Sequence, residues 1–100
     1  MIDWARVEGF DWDAGNDRKS VDKHGVTQAE AEQAFFNEPL LVAPDARHSD
    51  PEARLHALGR ADLGRLLHIT FTLRRDSTMI RVISARPMHR RERQQYEQEG

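Results

Sequence analysis

Hydrophobic and polar residues alternate most clearly between Leu66 and Leu73, which predicts a half-buried β-strand. The two faces of that strand are Leu67, Ile69, Phe71 and Leu73 on the apolar side and His68, Thr70 and Thr72 on the polar side. A turn at residues 74–77 and a second apolar run over Met79–Ala85 complete a predicted hairpin. Three further short strands are predicted at residues 7–12, 40–43 and 54–60, with an exposed loop at 45–53 and a turn at 61–64.

Helical signals lie between the first two strands and after the last one. Asp13 is a suitable N-cap for a helix over 14–23, which Gly25 ends in a left-handed conformation. Thr27 and Glu30 have the spacing of a capping box, so a second helix is predicted to run from there to about Asn37. Pro87 suits the first position of a last helix.

The resulting order is β-α-α-β-β-β-β-α. It predicts the α+β class: an antiparallel sheet packed against two N-terminal helices, followed by a C-terminal helix. Trp12, Phe35 and Phe71 are assigned to the core. One hundred residues suit a single domain over 1–100.

Composition excludes several classes of site. The chain has no cysteine, which excludes disulfides, thiolate zinc sites and cysteine nucleophiles and fits a reducing cytoplasm. The first residues lack the pattern of a signal peptide, and no apolar run is long enough to span a bilayer. We therefore expect a cytoplasmic protein with no membrane contact.

Charge is distributed unevenly along the chain. Residues 1–50 hold five basic and eleven acidic residues, whereas residues 51–100 hold ten basic and six acidic ones. Thirteen of the 15 cations are arginine, the residue best shaped to bind phosphate or carboxylate in a bidentate fork. This pattern predicts a local basic patch, or a basic partner for the acidic half.

The arginines concentrate where the last strand meets the last helix. Arg81, Ser84 and Arg86 lie in the predicted strand, and His89 begins a run of basic residues in the helix. Guanidinium groups are costly near a sheet unless they have an anionic partner. A phosphate backbone is the partner that this junction predicts.

Several segments together resemble the BrnT family of bacterial toxins. The segments, in chain order, are Phe10-Asp-Trp-Asp13, Lys23-His24-Gly25-Val26-Thr27, Ala34-Phe35-Phe36, His48-Ser49 with Arg54, Leu58-Gly59-Arg60, Gly64-Arg65-Leu66-Leu67, Phe71-Thr72-Leu73-Arg74, Ile80–Met88, Arg90-Arg91-Glu92-Arg93 and Tyr96-Glu97. The resemblance implies a RelE-like fold and a type II toxin that degrades RNA and arrests translation. It also implies a BrnA-type antitoxin, whose DNA-binding domain contacts operator DNA, so that the toxin reaches DNA only indirectly. Many family members have lysine and asparagine where this chain has Asn16 and Ser20.

RNA cleavage needs a base, an acid and cations at the phosphate. No carboxylate pair or His–Cys set suggests a metal site, so we expect metal-free chemistry without a cofactor. The candidate catalytic residues are Lys23, His24, Arg81, Ser84 and Arg86. The arginines are phosphate clamps, although strict alternation separates them and a bulge is needed to bring both to one face.

Four of these five candidates have a structural alternative. Arg81 suits an ion pair with Asp11 or Asp13, and His24 suits a helix end packed against Trp12. Lys23 alone on a helix end suits simple solvation, and Ser84 suits close packing of the last helix.

A second group of candidates would bind RNA rather than react with it: Arg60, His89, Arg90, Arg91 and Tyr96. The alternatives are a solvated surface for His89, and for Tyr96 a ring packed against the sheet. Arg90 and Arg91 also suit a surface that an antitoxin covers, and the nearby Arg93 suits an i,i+4 ion pair with Glu97.

Three functions remain open from sequence alone. The first is a ribonuclease toxin. The second is a non-catalytic module whose arginines bind an antitoxin or nucleic acid. The third is an inactive relic of a toxin, which the residues at 16 and 20 leave possible.

Overall fold

The computed structural model describes residues 2–12, 24–45 and 54–99. Within these ranges a short 3-10 turn at Trp4–Arg6 precedes five strands and two α-helices. In chain order they are β1 (Gly9–Phe10), α1 (Gln28–Ala34), β2 (Leu41–Pro44), β3 (Leu55–Arg60), β4 (Leu66–Arg74), β5 (Met79–Pro87) and α2 (Arg90–Glu99). The predicted helix over 14–23 lies outside the described residues.

The described strands form one sheet in the order β1-β5-β4-β3-β2. Strands β2 to β5 are antiparallel neighbours, as predicted. The expectation of a fully antiparallel sheet is wrong at one edge, because β1 pairs parallel to β5 through Gly9–Met79 and Phe10–Ile80. The α+β class is therefore confirmed, with a mixed sheet.

The local signals for α1 are confirmed. Thr27 Oγ1 accepts the Glu30 N–H at 3.1 Å, and Glu30 Oε1 accepts the Thr27 N–H at 3.2 Å, so both halves of the capping box are present. Gly25 has a φ of 67°, the left-handed conformation expected at a helix end. α1 stops at Ala34, before the predicted Asn37.

The start of α2 differs from the prediction. Pro87 does not open the helix; it is the last residue of β5, paired with Leu67. The Met88 N–H donates to the Leu66 carbonyl at 3.0 Å, which extends the strand pairing by one bond. The helix then begins at Arg90, because the Glu92 side chain accepts the His89 N–H at 2.7 Å.

The main core lies between α1 and one face of the sheet. Leu67, Ile69 and Phe71 of β4 are fully buried there, and the Phe35 ring meets the Phe71 ring edge-on at 5.1 Å. Trp12 packs against the same cluster and donates from Nε1 to Glu32 Oε2 at 2.7 Å. The core assignments of Trp12, Phe35 and Phe71 are confirmed.

A β-bulge in β5 sets which residues face away from this core. Ser84 pairs with Thr70, but the next residue of β4 pairs with Val82, so Ile83 is the extra residue. Ala85, Val82 and Ile80 stay buried on either side of the irregularity. Arg81 consequently shares a face with Ser84 and Arg86, instead of facing the core.

Helix α2 covers part of this second face. Leu58, Met88 and Tyr96 form a small separate cluster there, and the Tyr96 hydroxyl donates to the Pro39 carbonyl at 2.6 Å. The rest of the face, beside α2, carries polar side chains. Within the described ranges, no helix is long and apolar enough to cross a membrane.

Candidate phosphate-binding site on the sheet

Polar side chains from three neighbouring strands meet on the α2 side of the sheet. The register pairs His68 of β4 with Arg86 of β5, and Thr70 with both His56 of β3 and Ser84 of β5. Since residues two apart on a strand point the same way, all five share one face. We call His56, His68, Thr70, Ser84 and Arg86 the polar face.

Arg86 is held by α2 in a fixed orientation. Its Nη1 and Nη2 donate to Glu92 Oε1 and Oε2 at 2.8 and 2.9 Å, and Nη1 also donates to the Pro87 carbonyl at 3.1 Å. These bonds use three of the five guanidinium hydrogens. No described residue accepts the Nε hydrogen or the second Nη2 hydrogen, and together these two form the side-on fork that matches two oxygens of a phosphate.

Glu92 is charged over the whole ordinary pH range. Burial alone would raise its pKa, but the hydrogen bonds from Arg86 and from the His89 N–H lower that pKa to about 2. Because the carboxylate stays ionised, both of its oxygens remain available to accept hydrogen bonds from the guanidinium. Glu92 is therefore a positioning residue for Arg86.

His68 lies beside this pair in its neutral form. Burial, then the Arg86 charge, lowers the pKa of His68 from 6.5 to about 4, against the opposite effect of Glu92. Its Nε2 is 3.9 Å from Glu92 Oε2, beyond hydrogen-bond distance. The side chain is 13% exposed. At neutral pH the ring is thus an uncharged imidazole beside a cation.

His56 is held by partners on two elements. Its Nε2 lies 3.2 Å from Asp45 Oδ2, its Nδ1 lies 3.2 Å from Thr70 Oγ1, and its ring centre is 4.9 Å from that of His68. Both imidazoles, with Glu92 and Gln95, line a cavity of about 230 Å³ between the sheet and α2. Of the five residues of the polar face, His56 and His68 line this space.

The structure places Arg81 and Ser84 on the same face as Arg86, as the bulge requires. The two arginines oppose Thr72 and His68, which are four positions apart on β4, so the bulged strand holds them roughly 14 Å apart. That spacing suits two phosphates of one chain better than one phosphate. Asp11, the proposed alternative partner of Arg81, follows β1 beside it, since the Asp11 N–H donates to the Ile80 carbonyl at 2.8 Å.

His24 is not brought together with these residues. It lies two residues before the buried Val26, on the α1 side of the sheet, and its carbonyl accepts from Arg65 Nη2 at 3.3 Å. Arg65 also donates to the Gly25 carbonyl at 2.9 Å and to Glu30 at 3.2 Å, so it fixes this turn. Lys23 lies outside the described residues. Of the predicted catalytic residues, Arg81, Ser84 and Arg86 thus share one face of the sheet, and His24 lies apart from them.

The predicted RNA-binding residues surround α2. His89, Arg90 and Arg91 are exposed at its first turn, where cations oppose the helix dipole, and Arg60 is exposed at the end of β3. Tyr96 differs, because its side chain is buried at 5% exposure and its pKa is raised by burial. Its ring is packed, which was the structural alternative, and it is not placed to stack on a base.

Sequence reasoning missed Asp45, His56, His68, Thr70 and Glu92 as site residues. The alternation of β4 does put His68 and Thr70 on its polar side, but only the strand register shows that His56 and Arg86 flank them. Among the residues that the structure describes, no three His, Asp or Glu side chains converge as metal ligands.

Comparison with known proteins gives one family. The family model described as "Ribonuclease toxin, BrnT, of type II toxin-antitoxin system" matches residues 12–92. The fold is similar to the 1.1 Å crystal structure of the Brucella abortus ribonuclease toxin BrnT, with a TM-score of 0.63 at 23% sequence identity. That match covers 84% of this chain and 100% of the other. No curated protein matches the chain.

The structural match supports only the fold. The family match also supports the class of protein to which the chain belongs. It spans most of the chain and includes all of β5 with Arg81, Ser84 and Arg86. The chain therefore belongs to the BrnT family, the ribonuclease toxins of type II toxin–antitoxin systems.

Proposed function

We propose that this chain is an active toxin that cleaves RNA without a metal, arrests translation in the cytoplasm and works as a single domain with a variant of the RelE-like fold. The observation that carries the proposal is the fixed guanidinium of Arg86. Glu92 holds it from one side at 2.8 and 2.9 Å, and its Nε–H and Nη2–H fork is left for a ligand. Pre-oriented donors of this kind stabilise charge that builds up on a phosphate.

The other residues of β5 extend the site along an RNA strand. We assign the scissile phosphate to Arg86 and a phosphate further along the same RNA strand to Arg81, because both lie on one face roughly 14 Å apart. Ser84 lies between them on that face and can donate its hydroxyl to a phosphate or a 2′-OH. The exposed cations Arg60, Arg90 and Arg91 add attraction for the rest of the chain.

The partner that we propose is a BrnA-type antitoxin, with operator DNA contacted only through it. Family membership implies an antitoxin, and the surface supports an acidic contact around the exposed residues His89, Arg90 and Arg91. An antitoxin segment that pairs with these cations would also cover the entrance to the polar face.

The proposal is tested with purified protein and a short single-stranded RNA. We expect Arg86→Lys to lower the cleavage rate about 10²-fold, because lysine keeps the charge but loses the fork and the contact with Glu92. Arg75→Lys is the matched control: Arg75 is exposed in the β4–β5 turn, at the far end of β5, and the exchange should leave the rate unchanged.

Growth of cells that express each variant alone provides the second measurement. Wild type and Arg75→Lys should arrest growth, and Arg86→Lys should not. Intact RNA after incubation with the wild type, together with normal growth, would reject the ribonuclease and favour the non-catalytic module. The Arg86–Glu92 pair is then a structural ion pair.

A further inference from the structure

Metal-free cleavage of RNA requires a group that removes the 2′-hydroxyl proton. Of the two histidines considered from sequence, His24 lies on the α1 side of the sheet, and His89 is exposed at the start of α2. His68 is different, because it pairs in register with Arg86 on the adjacent strand. Directly opposed side chains on neighbouring antiparallel strands are about 5 Å apart at Cβ.

We propose that His68 is the general base of the reaction and accepts the 2′-hydroxyl proton of the nucleotide whose 3′-phosphate is bound by Arg86. This assignment rests on the proposed ribonuclease function and adds a catalytic residue to it. It also assigns the transfer of the 2′-hydroxyl proton to the polar face and not to the turn that contains His24.

The surroundings of His68 suit a base. The ring lies on a central strand, which holds its geometry firmly. It makes no hydrogen bond to any other described residue, and its nearest carboxylate oxygen is 3.9 Å away. It also borders the cavity of about 230 Å³ beside α2, which extends from the ring towards β3 and β2, whereas Arg86 lies on the β5 side of the ring.

Its protonation state agrees with the role. The charged or titratable groups facing it are Arg86 of β5, Glu92 of α2, His56 of β3 and His89 just before α2. Burial and Arg86 outweigh Glu92 and hold the pKa near 4, so the ring is neutral at pH 7 and can take a proton. A bound phosphate adds negative charge beside it and makes it a stronger base as substrate arrives.

The step balances in protons and bonds. A ring nitrogen of His68 takes the 2′-OH proton, the 2′-oxygen forms a bond to phosphorus, and the bond from phosphorus to the 5′-oxygen breaks. The leaving 5′-oxygen takes a proton from water, and the hydroxide so formed removes the proton from the imidazolium. The products are a 2′,3′-cyclic phosphate and a 5′-hydroxyl end.

The test is single-turnover cleavage of a short RNA by His68→Ala and His68→Gln. We expect both to lose about 10²-fold in rate at pH 7, the size typical of general base catalysis. Binding of a 2′-O-methyl analogue, which cannot react, should stay within twofold of the wild type. Added imidazole should restore part of the rate of His68→Ala and none of the rate of His68→Gln, where the cavity is filled.

Gln94→Ala, an exposed position on α2, is the control and should cleave at the wild-type rate. If His68→Ala fails to fold by circular dichroism, His68→Gln decides the question. Undiminished cleavage by the His68 variants, or a loss matched by weaker analogue binding and no imidazole rescue, overturns the assignment while the wild type still cuts RNA. Intact RNA with the wild type overturns the proposed function itself, and this assignment with it.

Discussion

At the scale of single residues, Glu92 organises the site although it would not contact the substrate. It binds Arg86 through both oxygens and receives the His89 N–H, so one side chain caps α2 and aims a strand residue. Arginine could be proposed as a phosphate ligand from its chemistry alone. Glu92 was not, because the sequence shows it only as one charge among several in a helix, and its role depends on how α2 turns back over β5.

We expect Glu92→Gln to lower the free energy of unfolding by about 2 kcal/mol, because a charged hydrogen-bonded pair is lost and a partly buried guanidinium loses its anion. Cleavage should also fall, since Arg86 is no longer fixed. Glu97→Gln, exposed on the same helix, is the control for changing a helix charge. Urea denaturation and the RNA assay measure the two effects; equal stability of both variants would contradict the role of Glu92.

At the scale of elements, α1 lies unusually close to the sheet. A Cβ added at Gly59 of β3 would lie 2.8 Å from the Ala34 carbonyl oxygen and 3.2 Å from the Ala34 Cβ. Glycine at 59 is thus required by the packing of a helix end, since backbone atoms cannot move aside as a flexible side chain can. The residue after Ala34 is Phe35, whose ring packs against Phe71.

Gly59→Ala should therefore reduce stability by about 1–3 kcal/mol, because α1 must shift from its place on β3. Gly9→Ala is the matched control: its new Cβ would meet only the Met79 methyl, at 3.7 Å, which is an ordinary contact. Thermal unfolding followed by circular dichroism compares the two. A Gly59→Ala protein as stable as Gly9→Ala would show that α1 is less tightly placed than described.

The same scale shows what the sequence could and could not reveal. Alternation predicted β4 and its partner β5, and the Thr27–Glu30 box predicted the start of α1, because both signals are local. The pairing of β1 with β5 is not local, and nothing in residues 9–10 indicates which strand they pair with. The prediction that Pro87 opens the last helix was wrong for the same reason, because its place in the strand depends on pairing with Leu67.

The candidate site divides along the same line. Residue type identified Arg81, Ser84 and Arg86, and the need for a bulge was foreseen. His56 and His68 became site residues only through the register of three strands, and Asp45 only through its 3.2 Å contact with His56. The chemistry of a single side chain could be predicted from its residue type, but the contacts between side chains on neighbouring strands could not.

At the scale of the whole molecule, stability depends on pH through the polar face. The pKa of His68 falls from 6.5 to about 4 on folding, so the unfolded chain binds more protons between these values. The contribution of neutral His68 to the free energy of unfolding is complete above pH 6.5 and is lost as the pH falls towards 4. The pKa of Glu92 falls to about 2, so its contribution is lost in a second, lower window, below about pH 4.5.

We expect the free energy of unfolding to drop by about 2 kcal/mol from His68 alone between pH 7 and pH 4.5. His68→Gln should flatten this part of the profile and leave the Glu92 window in place. Urea midpoints measured in steps of half a pH unit give the profile. A wild type and a His68→Gln protein that lose stability in parallel above pH 4.5 would contradict a neutral buried His68.

The parallel pairing of β1 with β5 has a consequence for how the toxin is made. Gly9 pairs with Met79, so the first described strand waits on the ribosome until its partner, seventy positions later, has been synthesised. The proposed phosphate ligand Arg86, the proposed base His68 and their neighbour Glu92 lie on β5, β4 and α2, which are also synthesised late. A partly translated chain therefore lacks part of the candidate site, which is complete only when synthesis has passed α2.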